Sequence, residues 1–135
     1  MEQIKLKYKN SYDTINIPSK NLLGVLNAKN LPSVSDPEGE VRRALKNPIE
    51  SKALGELAKG KHNIVILVSD ITRPAPSYIL LPPIIEELTE AGISYDDITI
   101  VFGLGYHRKQ TEEEMKKLVG QYIYDKIRCI NHNIP

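Results

Sequence analysis

Two short apolar runs, Ile64-Val65-Ile66-Leu67-Val68 and Ile98-Thr99-Ile100-Val101-Phe102, constrain this chain more than any other feature. Each has the length and β-branched content of a buried strand. Each runs into a polar loop and then into a helix-like stretch. The first loop is Ser69-Asp70-Ile71-Thr72-Arg73-Pro74 and the second is Gly103-Leu104-Gly105-Tyr106-His107-Arg108. Residues 126–130, Lys-Ile-Arg-Cys-Ile, read as a third strand. Residues 64–130 therefore spell β-α-β-α-β, which implies a parallel sheet with right-handed crossovers. The expected fold class is α/β: a three-layer, Rossmann-like parallel sheet preceded by an N-terminal β-hairpin and two short helices. Both polar loops then fall at the carboxyl ends of strands, where open α/β sheets hold their ligands. Neighbouring strands lie about 5 Å apart, close enough for Arg73 and His107 to face one pocket.

The rest of the chain fits around that core. Ile4-Lys5-Leu6-Lys7-Tyr8 and Thr14-Ile15-Asn16-Ile17 alternate apolar and polar, with turn chemistry at Asn10-Ser11-Tyr12-Asp13, so residues 3–18 predict a hairpin. Asp36 with Pro37 reads as the start of one helix, and Ser51 as the cap of a second that Gly60 closes. Ser77 can cap the next helix, in which Pro82 and Pro83 are awkward unless they fall in the first turn, and Gly92 is its C-cap. Thr111 and Glu114 form a capping box on an acidic, solvated helix that Gly120 stops. The expected organisation is a single domain, with the hairpin and helices in 1–62 and the parallel core in 63–135.

Composition narrows the partners. The net charge is +1, so no field draws the chain to nucleic acid or to an acidic membrane. No apolar segment is long enough to span a bilayer. The single Cys129 excludes an internal disulfide and a multi-cysteine zinc site, which suits a cytoplasmic location.

Arg73 offers a planar fork of donors for a carboxylate or phosphate, or else pairs with Asp70 three residues earlier. Pro74 and Pro76 stiffen its loop, which lowers the ordering cost of binding. His107 is the one imidazole on a strand-end loop, either an acid–base group or an exposed loop histidine. Asp70 and Thr72 either bind a ligand hydroxyl or phosphate or cap the loop. His132 reaches the same edge of the sheet, and His62 the opposite one. Gly103-x-Gly105-x-x-Arg108 imitates a dinucleotide fingerprint but has Arg at the third glycine and follows the wrong strand, so it reads as chance. These residues suit a small carboxylate and proton transfer without naming a reaction. A non-catalytic nucleotide- or phosphate-binding α/β module and a protein-interaction domain remain alternatives.

Asp70-Ile71-Thr72-Arg73-Pro74 followed by Gly105-Tyr106-His107-Arg108 resembles the lactate racemase family. Lys59-Gly60-Lys61-His62-Asn63-Ile64-Val65-Ile66, Thr111-Glu112-Glu113-Glu114 and Asn47-Pro48-Ile49 resemble it too. The likeness covers the front part of a typical member. It implies a 2-hydroxy acid racemase or epimerase that uses a nickel-pincer nucleotide (nickel-pyridinium-3,5-bisthiocarboxylate mononucleotide). It also implies that Asp70, Ile71, Thr72 and Arg73 bind the cofactor. Arg73 would orient the substrate carboxylate, and His107 would exchange the substrate's hydroxyl proton. The substrate carbon would pass a hydride to the cofactor, giving a planar 2-keto acid that takes it back on either face. Ile71 and Tyr106 stand where the family pattern has His and Phe. The second catalytic histidine, the tethering lysine and the nickel-ligating histidine are expected beyond Pro135. The expected partners are a small 2-hydroxy carboxylate and the C-terminal part of the enzyme, with no metal ligand in this chain.

Overall fold

The computed structural model describes residues 1–73 and 75–133. Pro74, which the sequence singles out as a loop stiffener, lies outside the described residues. The chain divides into two compact units, Met1–Ser33 and Val34–Pro135.

The first unit is a hairpin of β1 (Glu2–Tyr8) and β2 (Ser11–Ile17), paired antiparallel from Glu2↔Ile17 to Tyr8↔Ser11. The turn lies at Lys9-Asn10, earlier than the sequence suggests. Ser11, Tyr12 and Asp13 are already paired with Tyr8, Lys7 and Leu6, and Lys9 absorbs the reversal at φ 52°. A 3₁₀ turn follows at Ser19–Asn21.

In the second unit α1 (Pro37–Lys46) begins as expected. The Asp36 carboxylate accepts from the Gly39 N–H at 2.9 Å, and Pro37 fills the first helical position. Ser51 does not cap α2 (Leu54–Ala58). Ala53 holds that position, and the Ser51 hydroxyl donates to the Lys52 carbonyl. Ser77 does not cap α3 (Ser77–Glu90) either; it is the buried first residue of the helix, after Pro76. Pro82 and Pro83 sit inside the helix, beyond its first turn. They remove two ladder donors, a cost of the kind that breaks exposed helices. Here Pro83 is fully buried, and α1 and α2 pack on α3 from outside. Tertiary packing overrides local propensity.

The sheet is parallel, in the order β3 (Ile64–Ser69), β4 (Ile98–Gly103), β5 (Arg128–Asn131). Between β4 and β5 lies α4 (Glu112–Val119), started by the expected Thr111–Glu114 capping box. Gly120, at φ 86°, ends α4. The chain turns at once into α5 (Gln121–Lys126), which the sequence reading did not contain, and this delays β5 to residue 128.

Ile64, Ile66 and Val68 line up with Ile98, Ile100 and Phe102 on one face of the sheet. That face packs into the core with Leu81, Ile85 and Leu88 of α3, Leu118 and Val119 of α4, and Ile123 of α5. The crossover helices α3, α4 and α5 pack on that face of the sheet. Strands added successively in one direction by right-handed crossovers place every crossover helix on the same face. The other face stays open, with Val65 55% and Leu67 75% exposed. No helix among the described residues is long and apolar enough to cross a membrane.

Phe102 has no exposed surface. Phe102→Ala is expected to lower unfolding stability by about 3–5 kcal/mol, read from urea denaturation. A loss under about 1 kcal/mol would place the core elsewhere.

Candidate active site

The site forms where β3 and β4 end side by side, Ser69 opposite Gly103. Asp70 is the first residue past β3 and is 4% exposed. A carboxylate so buried needs partners. It has a local one, because the Thr72 backbone N–H and hydroxyl both donate to Oδ1, at 3.2 and 2.7 Å. This is the loop-capping role open to an aspartate at such a turn. It also has a distant one: Oδ2 is hydrogen-bonded to Nδ1 of His107, in the loop after β4. Asp70 pairs with that histidine and not with Arg73. His107, in turn, has its backbone N–H donating to the Leu104 carbonyl at 3.0 Å.

The pairing has an electrostatic signature. The hydrogen bond from His107, and after it that from the Thr72 hydroxyl, hold the Asp70 carboxyl below its ordinary range. It also fixes ring geometry. With Nδ1 held by a carboxylate, the atom of His107 left for a ligand is Nε2. The ring stays half-exposed, its side chain 50% accessible.

Arg73 sits one turn from Asp70, its N–H donating to the Asp70 carbonyl at 3.1 Å. Its guanidinium makes no ion pair among the described residues. Arg108 differs. It grips Glu114 with two bonds, 2.7 and 2.8 Å, and holds that carboxyl at about 2 with help from the Thr111 N–H. Of the two arginines in these loops, Arg73 is the one whose fork is left for a ligand anion. Arg73 and His107 line the same cavity, of about 280 Å³, together with Asp70, Leu104, Tyr106 and the two glycines of the β4 loop. Gly105 adopts φ 57°, a conformation costly for other residues, and lets the loop fold back over the rim. A second, smaller cavity of about 60 Å³ adjoins it, walled by Asp70, Ile71, Thr72, His107, Arg108 and Gln110.

Ile71 turns its side chain toward the core and its N–H to Gln110 Oε1, at 3.2 Å. Its polar contribution to a ligand is therefore confined to its carbonyl. The backbone N–H groups of Ile71, Thr72 and Arg73 are all used inside the protein, so the loop presents side chains to a ligand, not a backbone cradle. His132 is exposed just past β5, with its N–H donating to the Phe102 carbonyl. His62 lies 3.7 Å from Asp97 at the opposite edge.

Two residues of this region escaped the sequence reading. Gln110 is buried. The Asn131 side chain clamps its backbone, accepting from its N–H at 3.0 Å and donating to its carbonyl at 3.1 Å. No local pattern marks either residue, since the contact joins a loop to the third strand. Another cavity, of about 350 Å³, lies between α3 and α5 and is walled by Tyr78, Tyr95 and Tyr122. Its one acidic residue, Glu86, is already paired with Arg42, so it lacks the acid–base pair of the sheet edge. Among the described residues no group of three or more His, Cys, Asp or Glu converges as a metal site.

The described residues thus form a parallel α/β domain with a histidine–aspartate pair, and an arginine without an ion pair among those residues, in the loops at the carboxyl ends of its strands. This chain belongs to the lactate racemase N-terminal domain family, whose model matches residues 8–134. It is 36% identical over 135 aligned residues to the lactate racemase of Thermoanaerobacterium thermosaccharolyticum, an alignment covering 98% of this chain and 32% of that one. It is also 36% identical to the lactate racemase of Lactiplantibacillus plantarum, covering 98% of this chain and 31% of that protein. The solved lactate racemase apoprotein from Thermoanaerobacterium thermosaccharolyticum superimposes with a TM-score of 0.82 at 34% identity, over 98% of this chain and 30% of that structure. The chain thus spans about a third of the length of the curated relatives it matches.

Because the Asp70 carboxyl is held low, its ionised form stabilises the fold above the unfolded-state value near 3.8, and that contribution disappears as pH falls through the lower folded value. Thermal unfolding followed from pH 6 downward is expected to fall off below about pH 4 more steeply for the native chain than for Asp70→Asn. Parallel curves would show that the Asp70 carboxylate contributes nothing to stability.

Proposed function

We propose that this chain forms one wall of the active site of a 2-hydroxy acid racemase or epimerase of the lactate type. The observation that carries the reading is the cavity shared by Arg73 and His107, with Asp70 in its wall and bonded to His107. Arg73 receives the substrate carboxylate through two parallel bonds. His107 Nε2 takes the proton of the neighbouring hydroxyl and returns it. Asp70 holds the ring by Nδ1 and offsets the charge that forms on it, a positioning role.

The donor set also fits a nucleotide cofactor, although through side chains alone. The Arg73 guanidinium suits a phosphate or a ring carboxylate, and the Thr72 hydroxyl oxygen keeps an accepting lone pair while donating to Asp70. Asp70 and Ile71 would contribute position and an apolar wall. When bound, a nickel-pincer nucleotide supplies the acceptor for the hydride of the substrate carbon. The lysine that tethers it and the histidine that ligates nickel are assigned to sequence other than these residues.

Racemisation needs an acid–base group on each side of the substrate carbon, because the proton must be handled equally well for both stereoisomers. His107 is the one imidazole lining the cavity, and the relatives are about three times as long as this chain. Both facts support a half-site completed by a further part of the enzyme.

Calorimetric titration with lactate is expected to lose at least about tenfold in affinity on Arg73→Ala, the effect of removing a charge-assisted pair of bonds. His107→Gln is expected to stay within about threefold of the native chain. A binding module without chemistry would show that same affinity pattern. The two readings separate when the chain is joined to the remaining two thirds of a relative: His107→Gln then abolishes interconversion of D- and L-lactate if the histidine is catalytic. The 135-residue chain alone, given cofactor, is expected to interconvert none, and robust turnover would contradict the half-site reading.

A further inference from the structure

Gln110 is held as a functional side chain is held, yet half of its amide has no partner. The residue is 6% exposed. Its backbone is clamped on both sides by Asn131, and its Oε1 accepts from the Ile71 N–H. That last bond settles which way the amide faces, because only the oxygen can meet an N–H. Nε2 is then fully buried with no acceptor among the described residues. A buried donor left without an acceptor is costly, and such groups in folded proteins mark a place where something else binds. Gln110 lines the 60 Å³ cavity, whose wall also contains Asp70 and His107.

The chemistry of that wall selects the ligand group. Gln110, whose Nε2 is a donor without an acceptor among the described residues, stands there beside the Asp70 carboxylate and the His107 imidazole. A carboxylate or phosphate would bring lone pairs and charge against Asp70. An alcohol hydroxyl accepts from Nε2 while keeping a proton to give. The volume suits it, being about two water-sized groups. The adjoining 280 Å³ cavity, with Arg73, reads the anion. Asp70 and His107 belong to both cavities, as a molecule with an anion and a hydroxyl on adjacent carbons would require.

We infer that Gln110 is a ligand-contacting specificity residue whose side-chain amide donates to an alcohol hydroxyl held in the small cavity beside Asp70 and His107. The inference rests on the hydroxy acid reading of the neighbouring Arg73 cavity. The hydroxyl belongs either to the 2-hydroxy acid or to the ribose of a bound mononucleotide.

The test is an NMR titration of the isotopically labelled whole chain, following the Gln110 side-chain NH₂ and the Arg73 Nε–H signals. The probes are lactate, propionate (lactate without its hydroxyl) and nicotinic acid mononucleotide. Lactate is expected to move both signals, and propionate only that of Arg73. Gln110→Met is expected to cut the preference for lactate over propionate by about fivefold, the worth of one hydrogen bond. If Gln110→Met does not fold, the native titration still decides. A Gln110 response to the mononucleotide and not to lactate assigns the hydroxyl to ribose. Propionate moving Gln110 as far as lactate does overturns the hydroxyl assignment. A ligand that moves Arg73 while none moves Gln110 overturns the Gln110 inference alone. No response at either residue to any probe overturns both it and the hydroxy acid reading.

Discussion

A carboxylate cannot be buried at the rim of a sheet without being paid for in hydrogen bonds, and the way Asp70 meets that demand organises the site. Two of its bonds close its own loop through Thr72. The third crosses to His107, after the neighbouring strand. One buried side chain thereby sets the shape of the first loop, the distance between the two loops, and the ring nitrogen that faces outward. The Asp70 carboxylate is directed at Thr72 and His107, and the exposed Arg73 guanidinium makes no ion pair among the described residues.

The sheet makes that crossing possible. Parallel strands in the order β3-β4-β5 end at one edge, so loops far apart in sequence start side by side. The core face of β4, with Ile98, Ile100 and Phe102 fully buried, anchors the position of that edge. Gln110 and Asn131 extend the same logic to the third strand, tying the loop after β4 to the end of β5 and, through Ile71, to the loop after β3. All three strand ends are thus joined by polar contacts around one small volume. The open face, with Val65 and Leu67 exposed, follows from the one-directional winding that collects the helices on the other side.

Local chemistry was legible where one residue type has one favourable use. Asp36 with Pro37, and Thr111 with Glu114, announce helix starts because few other conformations satisfy those side chains. The strands were legible from their apolar runs. Ser51 and Ser77 misled, because a serine fits many turns as well as it fits a cap. The proline pair misled because burial of Pro83 outweighed a propensity that applies to exposed helices. The helix α5 is six residues long and follows α4 without a loop, so no spacer announced it. In the site, Arg73, His107, Asp70 and Thr72 stood out by type and by loop position. Their partnership did not, since the alternatives for Asp70 lay three residues away or thirty-seven, and only the sheet register decides between them. Gln110 and Asn131 carried no signal at all, being ordinary residues made important by where the fold brings them.

We propose that the guanidinium of Arg73 and the Asp70-held imidazole of His107 serve one bound molecule. A crystal structure of the chain with lactate tests it most directly. The carboxylate is expected within hydrogen-bonding distance of the Arg73 guanidinium and the hydroxyl against His107 Nε2, with His107 Nδ1 still on Asp70. Lactate bound away from Arg73, or an imidazole swung off Asp70 to leave the cavity, would contradict it.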